Sequence, residues 1–261
     1  MRDECVVLIP VYKREMSELE LLSFKQALKV FDRPIVLYGP DNLDYSIYTD
    51  TARVNGREVG IQVFDKRYFG SVKDYNDFCL LRDFYMVFNR YEYMLLYQLD
   101  AYVFEDRLGY YMAKNYSFVG APCFEGLSKA RDTVFTGHLN GGLSLRRVDD
   151  FIEVCNRACS LRGVLRLIGG SYLGYRDLVK YVLYKLGRYA HLPFKWEDMF
   201  FSFGAKILKS DFRLADYEDA RSFSFDFLPE LLYKETGRLP MGCHAFDRKA
   251  NIGFWKEIIG F

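Results

Sequence analysis

The segment YEYMLLYQLDAYVFED, residues Tyr91–Asp106, decides the fold. Its first part, Tyr91–Leu96, has the apolar and aromatic composition of a buried strand. The chain then reaches Asp100 before apolar and aromatic residues resume. A buried carboxylate without a partner costs several kcal/mol. We therefore expect Asp100 at the end of a strand, facing a cation or a hydroxyl group; otherwise the strand assignment is wrong.

The segments before this strand predict a parallel sheet. Cys5–Pro10 is a short apolar run typical of a buried parallel strand, and Pro34–Tyr38 is a second one. Between them, Ser17–Phe31 has apolar residues at helical spacing and a capping box formed by Ser17 and Glu20. This β-α-β order favours a right-handed crossover between parallel strands. Further strands are predicted at Val59–Phe64, Tyr93–Leu99, Ser117–Gly120 and Gly142–Leu145, and further helices at Val72–Phe88 and Val148–Ala158.

Residues 159–193 are predicted to form a helical insertion. Its main part, Leu161–Leu192, is basic and rich in tyrosine and leucine, with Gly169 and Gly170 in its middle. Such a segment either covers the sheet, which we favour, or lies on a membrane surface as a basic amphipathic helix. We expect residues 1–261 to form a single α/β domain with a mostly parallel central sheet flanked by helices.

Composition excludes several classes of protein. The net charge of +1 gives no overall attraction to nucleic acid or anionic lipid. The six cysteines form no CxxC pair, so we expect them to be reduced and mostly buried. The charged N-terminus does not resemble a signal peptide, and no apolar run is long enough to span a membrane, so we expect a cytoplasmic protein. The aromatic share of 18% indicates either an aromatic core or a stacking surface.

Several distinctive segments follow predicted strands. In an open α/β sheet, ligands bind beyond the carboxyl ends of the strands. These segments are Pro10–Lys13, Asp100, Gly137–Gly142, Trp196–Asp198 and Pro240–Phe246.

The same segments carry a family resemblance. A strand that ends in an acidic residue followed by a small one resembles the place where GT-A glycosyltransferases carry their DxD motif. The set VVLIPVYK, FYMVFNRYEYMLLYQLDAYVF, VGAP, NGGLSLRR, WEDMFF and MGCHAF occurs here in this order, over about residues 4–250. It resembles a bacterial family of GT-A-type glycosyltransferases without a defined function, found among capsule, O-antigen and other cell-envelope polysaccharide genes.

This resemblance implies a GT-A-like fold, that of the nucleotide-diphospho-sugar transferases, and transfer of a hexose-like sugar. We favour inversion over retention because a candidate base is present. The donor would be a nucleotide sugar, most commonly a UDP-sugar, and the acceptor a glycan or a lipid-linked sugar. The transfer reaction would take place in the cytoplasm or at the inner face of the membrane, with a peripheral membrane contact in the second case. No nucleic-acid partner is expected.

Asp100 and His244 are the metal ligands that the resemblance implies, for Mn²⁺ or Mg²⁺. Carboxylate oxygens suit these cations, and a neutral imidazole is a reasonable ligand. Tyr102 stands where the second acid of the DxD motif would be, so Asp100 could instead contact the ribose or a water molecule. A strand-end carboxylate and a buried histidine bonded to backbone are the alternatives.

Glu197 and Asp198 are the catalytic candidates. An inverting transferase needs a carboxylate that takes a proton from the acceptor hydroxyl. We assign that role to Asp198 and an acceptor contact to Glu197, with ordinary capping of a helix N-terminus as the alternative. Trp196 either stacks on a sugar or lies in the core.

The remaining candidates would bind the donor. Asn140 and Gly141 could meet sugar hydroxyls, although an Asn-Gly pair also suits a hairpin turn. The other residues that the resemblance places near the nucleotide are Pro10, Val11 and Tyr12 at the base, Lys13 or Arg14 at the phosphates, and Tyr75 and Asn76 on the helix before the central strand.

Three other classes are alternatives to a glycosyltransferase. A nucleotidyltransferase would carry a glycine-rich loop after the first strand, but that loop reads VYKRE. A Rossmann dehydrogenase would carry GxGxxG there, which is absent. A carbohydrate-binding protein that has lost catalysis stays open, because the DxD motif is incomplete.

Overall fold

The computed structural model describes residues 3–261, with the backbone alone at Asp3. The strands are β1 Asp3–Pro10, β2 Ile35–Pro40, β3 Gly60–Phe64, β4 Tyr91–Tyr97, β5 Tyr102–Val103, β6 Phe118–Phe124, β7 Phe135–Arg147, β8 Ser224–Phe225 and β9 Gly242–Cys243. The helices are α1 Glu18–Val30, α2 Ser46–Val54, α3 Val72–Phe78, α4 Arg82–Met86, α5 Leu108–Ala113, α6 Val148–Ala158, α7 Leu161–Gly169, α8 Tyr175–Lys185, α9 Glu197–Met199, α10 Ala205–Leu208, α11 Tyr217–Phe223, α12 Pro229–Thr236 and α13 Ile252–Ile259, with a π-helical segment, Phe200–Gly204, between α9 and α10.

A six-stranded sheet forms the centre of the molecule, in the order β3-β2-β1-β4-β7-β6. Strands β3, β2, β1 and β4 are parallel, and β7 runs antiparallel to both of its neighbours. The predicted parallel sheet is therefore confirmed over its first four strands. Because β1 and β4 are adjacent, the segments that follow Pro10 and Tyr97 meet at one edge of the sheet.

A second, small sheet has the order β5-β9-β8. Tyr102 of β5 pairs with Cys243 of β9 in antiparallel fashion, and Phe225 of β8 pairs with Cys243 in parallel. The residues just outside these three short strands are thereby brought together. They are Asp100 before β5, Asp226 after β8 and His244 after β9.

The aromatic residues mostly build the core. Phe78 lies in ring contact with Phe64, Tyr68 and Phe84 at centroid distances of 4.7 to 4.8 Å. On the other side of the sheet, the predicted helix near Ser17 is present as α1, and its capping box is formed as expected. The six cysteines are unpaired, and all but the partly buried Cys159 are buried, in agreement with the expectation from the sequence.

Two sequence predictions need correction, and one of the alternatives is ruled out. The helix predicted over Val72–Phe88 is interrupted, because the chain leaves helical geometry at Leu81, between α3 and α4. The strand predicted at Gly142–Leu145 is the end of the much longer β7. The Asn140-Gly141 pair is not a hairpin turn. It lies within β7, where the pairing to β6 slips between Gly120–Ser144 and Pro122–Leu139, so that the strand bulges.

The insertion 159–193 contains α7 and α8, with the helix break after Gly169. Val164 and Leu167 of α7 and Tyr181 of α8 are buried against the main core. Within residues 3–261, no helix combines the length and the apolar character needed to cross a bilayer.

Candidate functional site

A cavity of about 260 Å³ opens where β1 and β4 end. It contains the predicted donor residues Pro10, Val11, Tyr12 and Lys13 together with Asp100. Sequence reasoning did not identify the other residues of this cavity, which are Glu20, Tyr48, Gln98, Leu99 and Asp247. The expectation that ligand-binding groups gather at this edge of the sheet explains why the first set lies together.

The loop after β1 is held in place by several contacts. Lys13 Nζ forms an ion pair with Glu20 Oε2 at 2.7 Å. The Tyr48 hydroxyl donates to the Lys13 carbonyl at 2.9 Å. Gly39 packs closely against the same loop, because a Cβ at that position would lie 1.9 Å from the Val11 carbonyl oxygen. Arg14, the alternative phosphate contact, forms an ion pair with Asp44 at 3.3 Å.

His244 links Asp100 to the buried Asp226. Its Nε2 lies 3.3 Å from Asp100 Oδ1 and 3.1 Å from Gln98 Oε1. Its Nδ1 lies 3.6 Å from Asp226 Oδ2. Arg248 completes the group, with Nη1 at 2.9 Å from Asp226 Oδ1. Asp100, by contrast, keeps 37% of its side chain exposed and faces the cavity.

These neighbours shift the pKa values of both groups. Burial alone would lower the pKa of His244, but the carboxylates of Asp100 and Asp226 outweigh it and raise the pKa to about 10. Burial would raise the pKa of Asp100, but the neighbouring His244 outweighs it and holds the pKa below its usual value. The carboxyl of Asp247 has a raised pKa because it is partly buried beside Asp100.

The donor set suits a divalent cation that brings other ligands with it. His244 Nε2 lies 3.3 Å from Asp100 Oδ1 and 3.1 Å from Gln98 Oε1, and it can bind a cation only after the cation displaces the proton that its raised pKa retains. No group of three histidine, cysteine or acidic residues within residues 3–261 is arranged to hold a metal alone. Mg²⁺ commonly takes only one or two carboxylates and completes its shell with substrate phosphates and water. The residues present fit that mode only with further ligands from outside the chain.

The bulge of β7 lies between the group around His244 and the acidic pair Glu197 and Asp198. A Cβ at Gly142 would lie 2.0 Å from His244 Nε2. A Cβ at the preceding Gly141 would lie 2.3 Å from Glu197 Oε1 and 3.2 Å from the Cβ of Asp198. Two adjacent glycines thus allow His244 and the Glu197-Asp198 pair to approach the same strand.

Glu197 is buried and faces Arg146. Its Oε1 accepts a hydrogen bond from Arg146 Nη2 at 2.8 Å, and Arg146 is completely buried. Burial raises the pKa of the Glu197 carboxyl, whereas the Arg146 guanidinium acts in the opposite direction. Asn76 accepts a hydrogen bond from the Glu197 backbone N–H at 2.9 Å and so caps the start of α9.

Asp198 is better placed than Glu197 to meet a substrate. Its side chain is 18% exposed, and its Oδ2 lies 3.3 Å from His138 Nε2. Its Oδ1 accepts a hydrogen bond from the Met199 backbone at 2.7 Å. Apart from this approach to Asp198, which lacks hydrogen-bond geometry, the buried His138 Nε2 has no polar partner among residues 3–261. At the start of α9, the side chain of Glu197 therefore points into the protein, whereas that of Asp198 points toward the solvent side.

The remaining predicted residues do not line this cavity. Tyr75 packs edge-on against Tyr12 at a centroid distance of 6.3 Å, and its hydroxyl lies 2.5 Å from that of Tyr38. The side chain of Asn140 accepts from the Gly142 backbone at 2.8 Å and shapes the bulge. Trp196 is half exposed, which is incompatible with the core position considered for it.

Sequence reasoning missed Asp226, His138 and Arg146. Asp226 follows a short aromatic strand in the segment SFSFDF, the same pattern of apolar strand and acid that drew attention to Asp100. Arg146 belongs to the quoted NGGLSLRR motif, but a basic residue at a strand end is ordinary unless its carboxylate partner is known. Only the fold brings His138 beside Asp198, 60 residues further along the chain.

Comparison with solved structures identifies the fold. A galactosyltransferase, LgtC, solved with donor and acceptor sugar analogues, superposes with a TM-score of 0.54 at 9% identity, covering 98% of this chain and 95% of that one. Mouse xyloside xylosyltransferase 1, in its apo form, gives 0.52 at 10% identity, covering 92% and 97%. Core-mannan synthase A from Aspergillus fumigatus, in a Mn/GDP form, gives 0.50 at 10% identity, covering 80% and 71%. The fold is that of the GT-A glycosyltransferases, as the sequence predicted.

Sequence comparison is less informative about activity. No curated protein sequence matches the chain. One family model, described as a protein of unknown function (DUF5672), matches residues 58–244. This range includes β4, the β7 bulge, Asp198 and His244, and it spans more than half of the chain. The chain therefore belongs to the DUF5672 family of proteins of unknown function.

Proposed function

We propose that the protein is a glycosyltransferase that moves a sugar from a nucleotide-diphosphate donor to a hydroxyl group of a glycan or lipid-linked acceptor. The observation that carries this proposal is the glycine pair in the β7 bulge. Gly142 packs against His244, beside Asp100, and Gly141 packs against Glu197 and Asp198. A candidate diphosphate site and a candidate base thus lie on the two sides of the β7 bulge. Transfer of a sugar between two substrates requires such proximity.

The nucleotide of the donor would occupy the cavity after β1. Tyr12 is half exposed there and offers a ring for the base, with Pro10 and Val11 beside it. Lys13 could exchange its partner Glu20 for a phosphate. Asp100 and His244 would hold a divalent cation, which supplies charge stabilisation to the departing diphosphate. The Mn/GDP form of the A. fumigatus enzyme supports a nucleotide and a cation in this fold.

Asp198 is the proposed general base. Its carboxylate would take the proton of the acceptor hydroxyl while that oxygen forms a bond to the anomeric carbon of the donor sugar. The bond from that carbon to the diphosphate oxygen breaks, and its electron pair leaves with the nucleoside diphosphate. Attack from the opposite face of the sugar inverts the anomeric configuration. His138, 3.3 Å from Asp198, would orient the carboxylate.

Glu197 has a different proposed role from the acceptor contact expected from the sequence. It is paired with Arg146 and covered by protein. We assign it the task of fixing the start of α9, together with Asn76, so that Asp198 keeps its orientation. Trp196, half exposed next to it, is the residue that could stack on the acceptor sugar.

The donor class and the pathway are proposed on the basis of the family resemblance. A UDP-sugar donor and a role in capsule or O-antigen synthesis are the first combination to test. LgtC, which has a similar fold, was solved in complex with both a donor and an acceptor sugar analogue.

The test begins with a thermal-shift screen of nucleotides and nucleotide sugars, each with and without Mn²⁺. A ligand present at a hundredfold excess over its Kd stabilises the native state by about 2.7 kcal/mol. Hits are then incubated with glycan acceptors, and the products are analysed by mass spectrometry.

The Asp198→Asn variant tests the proposed base. We expect it to bind the donor normally and to lose at least about a hundredfold in transfer rate. Asp32→Asn, on an exposed surface position, is the matched control and should behave as the wild type. Nucleotide binding without hydrolysis or transfer in the wild type would instead identify a binding protein that lacks catalysis.

A further inference from the structure

Helix α8 exposes a continuous apolar stripe. Tyr175, Val179, Val182 and Leu186 follow each other at intervals of four, three and four residues, so they lie along one face of the helix. They are 80%, 59%, 44% and 62% exposed, respectively. The opposite face, with Tyr181, packs onto the core. The stripe has no covering element among residues 3–261, which is unusual for four large apolar side chains in a row.

Basic side chains surround the stripe. Residues 161–188 contain six basic residues and one acidic residue, a net charge of +5, whereas the whole chain has a net charge of +1. By helical geometry, Arg176 and Lys185 flank the stripe on its two sides, and both are exposed. The only acidic residue in this range, Asp177, forms an ion pair with Lys180. Positive charge therefore lies on both sides of this exposed apolar stripe.

We propose that α8 docks onto a membrane surface that carries anionic lipid. The apolar stripe would enter the boundary between headgroups and acyl chains, and the flanking basic side chains would meet lipid phosphates. Tyr175 suits this boundary because its ring is apolar and its hydroxyl is polar. The same features disfavour a second copy of the chain as the occupant, because a two-fold contact would place two strongly positive surfaces against each other.

The position of α8 gives this docking a consequence for catalysis. A cavity of about 240 Å³ lies between α8 and the start of the helix that carries Asp198, and it is lined by Asp177, Lys180 and Met199. The stripe lies on the side of α8 away from this cavity, by the helical period. A docked protein would hold the proposed base close to the bilayer, where a lipid-linked acceptor is found. The docking does not depend on the proposed transfer; only this consequence does.

Vesicle co-sedimentation tests the proposal. We expect the wild type to bind vesicles containing phosphatidylglycerol, to bind pure phosphatidylcholine at least about tenfold more weakly, and to be released by salt. The double variant Arg176→Gln/Lys185→Gln should bind the anionic vesicles about thirtyfold more weakly, since each basic side chain near such a surface contributes about fivefold. Val179→Gln/Leu186→Gln should lose at least about tenfold.

Matched controls separate this surface from general charge and hydrophobicity. Lys25→Gln/Lys29→Gln removes two exposed charges on α1, and Val54→Gln/Val87→Gln removes two exposed apolar side chains elsewhere. Both controls should bind anionic vesicles as the wild type does, and circular dichroism should show that all four variants are folded.

Three results would overturn the proposal. They are absence of binding to anionic vesicles by the wild type, unchanged binding by both α8 variants, and a homodimer in solution that the α8 substitutions dissociate. Transfer to a water-soluble acceptor, measured without vesicles, should be the same in the wild type and the α8 variants. That assay reports on the proposed transferase activity separately from docking.

Discussion

The backbone of Gly142 lies against the imidazole of His244, so closely that a Cβ on Gly142 would sit 2.0 Å from Nε2. The same Nε2 is the atom that faces Asp100 and Gln98. The position of His244 therefore depends directly on the absence of a side chain at position 142.

Gly142→Ala should displace His244 and abolish cation-dependent nucleotide binding. The side chain cannot give way freely, because it is buried between Asp100 and Asp226. We expect the Mn²⁺-dependent part of the nucleotide thermal shift to vanish, together with a loss of about 1–3 kcal/mol in stability from overpacking. Gly109→Ala is the control, since the added Cβ would meet no described atom within 4 Å apart from its chain neighbours and the backbone of its own helix. A normal nucleotide shift in Gly142→Ala would remove His244 from the proposed donor site.

Asp100→Ala should abolish transfer while the protein stays folded. Asp100 faces the cavity with a partly exposed side chain, and its main partner is His244. EDTA should reduce turnover of the wild type, and Mn²⁺ should restore it. Initial rates with the best nucleotide sugar and circular dichroism of the variant check both expectations. Turnover that is unchanged in chelator would point to a mechanism in which basic side chains replace the cation.

Arg146 and Glu197 form a buried ion pair. Removing either side chain alone should lower the free energy of unfolding. Arg146→Met leaves the Glu197 carboxylate without its partner, which should cost about 3–5 kcal/mol in the free energy of unfolding. The double variant Arg146→Met/Glu197→Gln should be more stable than Arg146→Met, because no unpaired charge remains.

Urea denaturation measures these differences. Arg53→Met, which removes one side of the exposed pair with Asp50, should change stability by less than about 1 kcal/mol. If Arg146→Met were as mild as Arg53→Met, the pair would not be what holds the start of α9.

The parallel part of the sheet could be predicted because its strands are short apolar runs, of which β1, β2 and β4 are buried on both faces. Cys5–Pro10 and the run before Asp100 show this directly, and their observed ends differ from the predicted ones by about two residues. The β7 strand could not be bounded in this way. Its first half contains polar residues and glycines that are accommodated by pairing with β6, which a local pattern does not reveal.

The sequence indicates candidate residues that lie in distinct motifs, and it does not indicate those whose partners lie on distant segments of the chain. Asp100, His244 and Asp198 lie in quoted motifs. Asp226 acquires its place only because β8 and β9 pair in a small sheet. The helix predicted over Val72–Phe88 is interrupted at Leu81, and its second segment carries Tyr85, whose hydroxyl accepts a hydrogen bond from Arg146 on β7. The helical propensity of this segment gives no information about such a long-range contact.

Asp219 should make stability depend on pH at the acidic end of the range. It is buried, and it accepts hydrogen bonds from the hydroxyls of Tyr110 and Tyr116 at 3.0 and 2.6 Å and from Lys114. Burial alone would raise the pKa of Asp219, but Lys114 and the two tyrosines outweigh it and lower the pKa. The ionised carboxylate therefore stabilises the folded state. This contribution is fully present above the unfolded pKa of about 3.9 and is lost as the pH falls through the lower, folded value.

Asp219→Asn should accordingly be less stable than the wild type by about 2 kcal/mol at pH 7, and the difference should shrink as the pH falls below about 4. Urea denaturation at a series of pH values measures it. Glu218→Gln, on the same helix but exposed, should show a difference of less than about 1 kcal/mol at every pH. A difference for Asp219→Asn that stayed constant down to pH 2 would mean that packing of the side chain, and not its charge, stabilises the contact between α11 and α5.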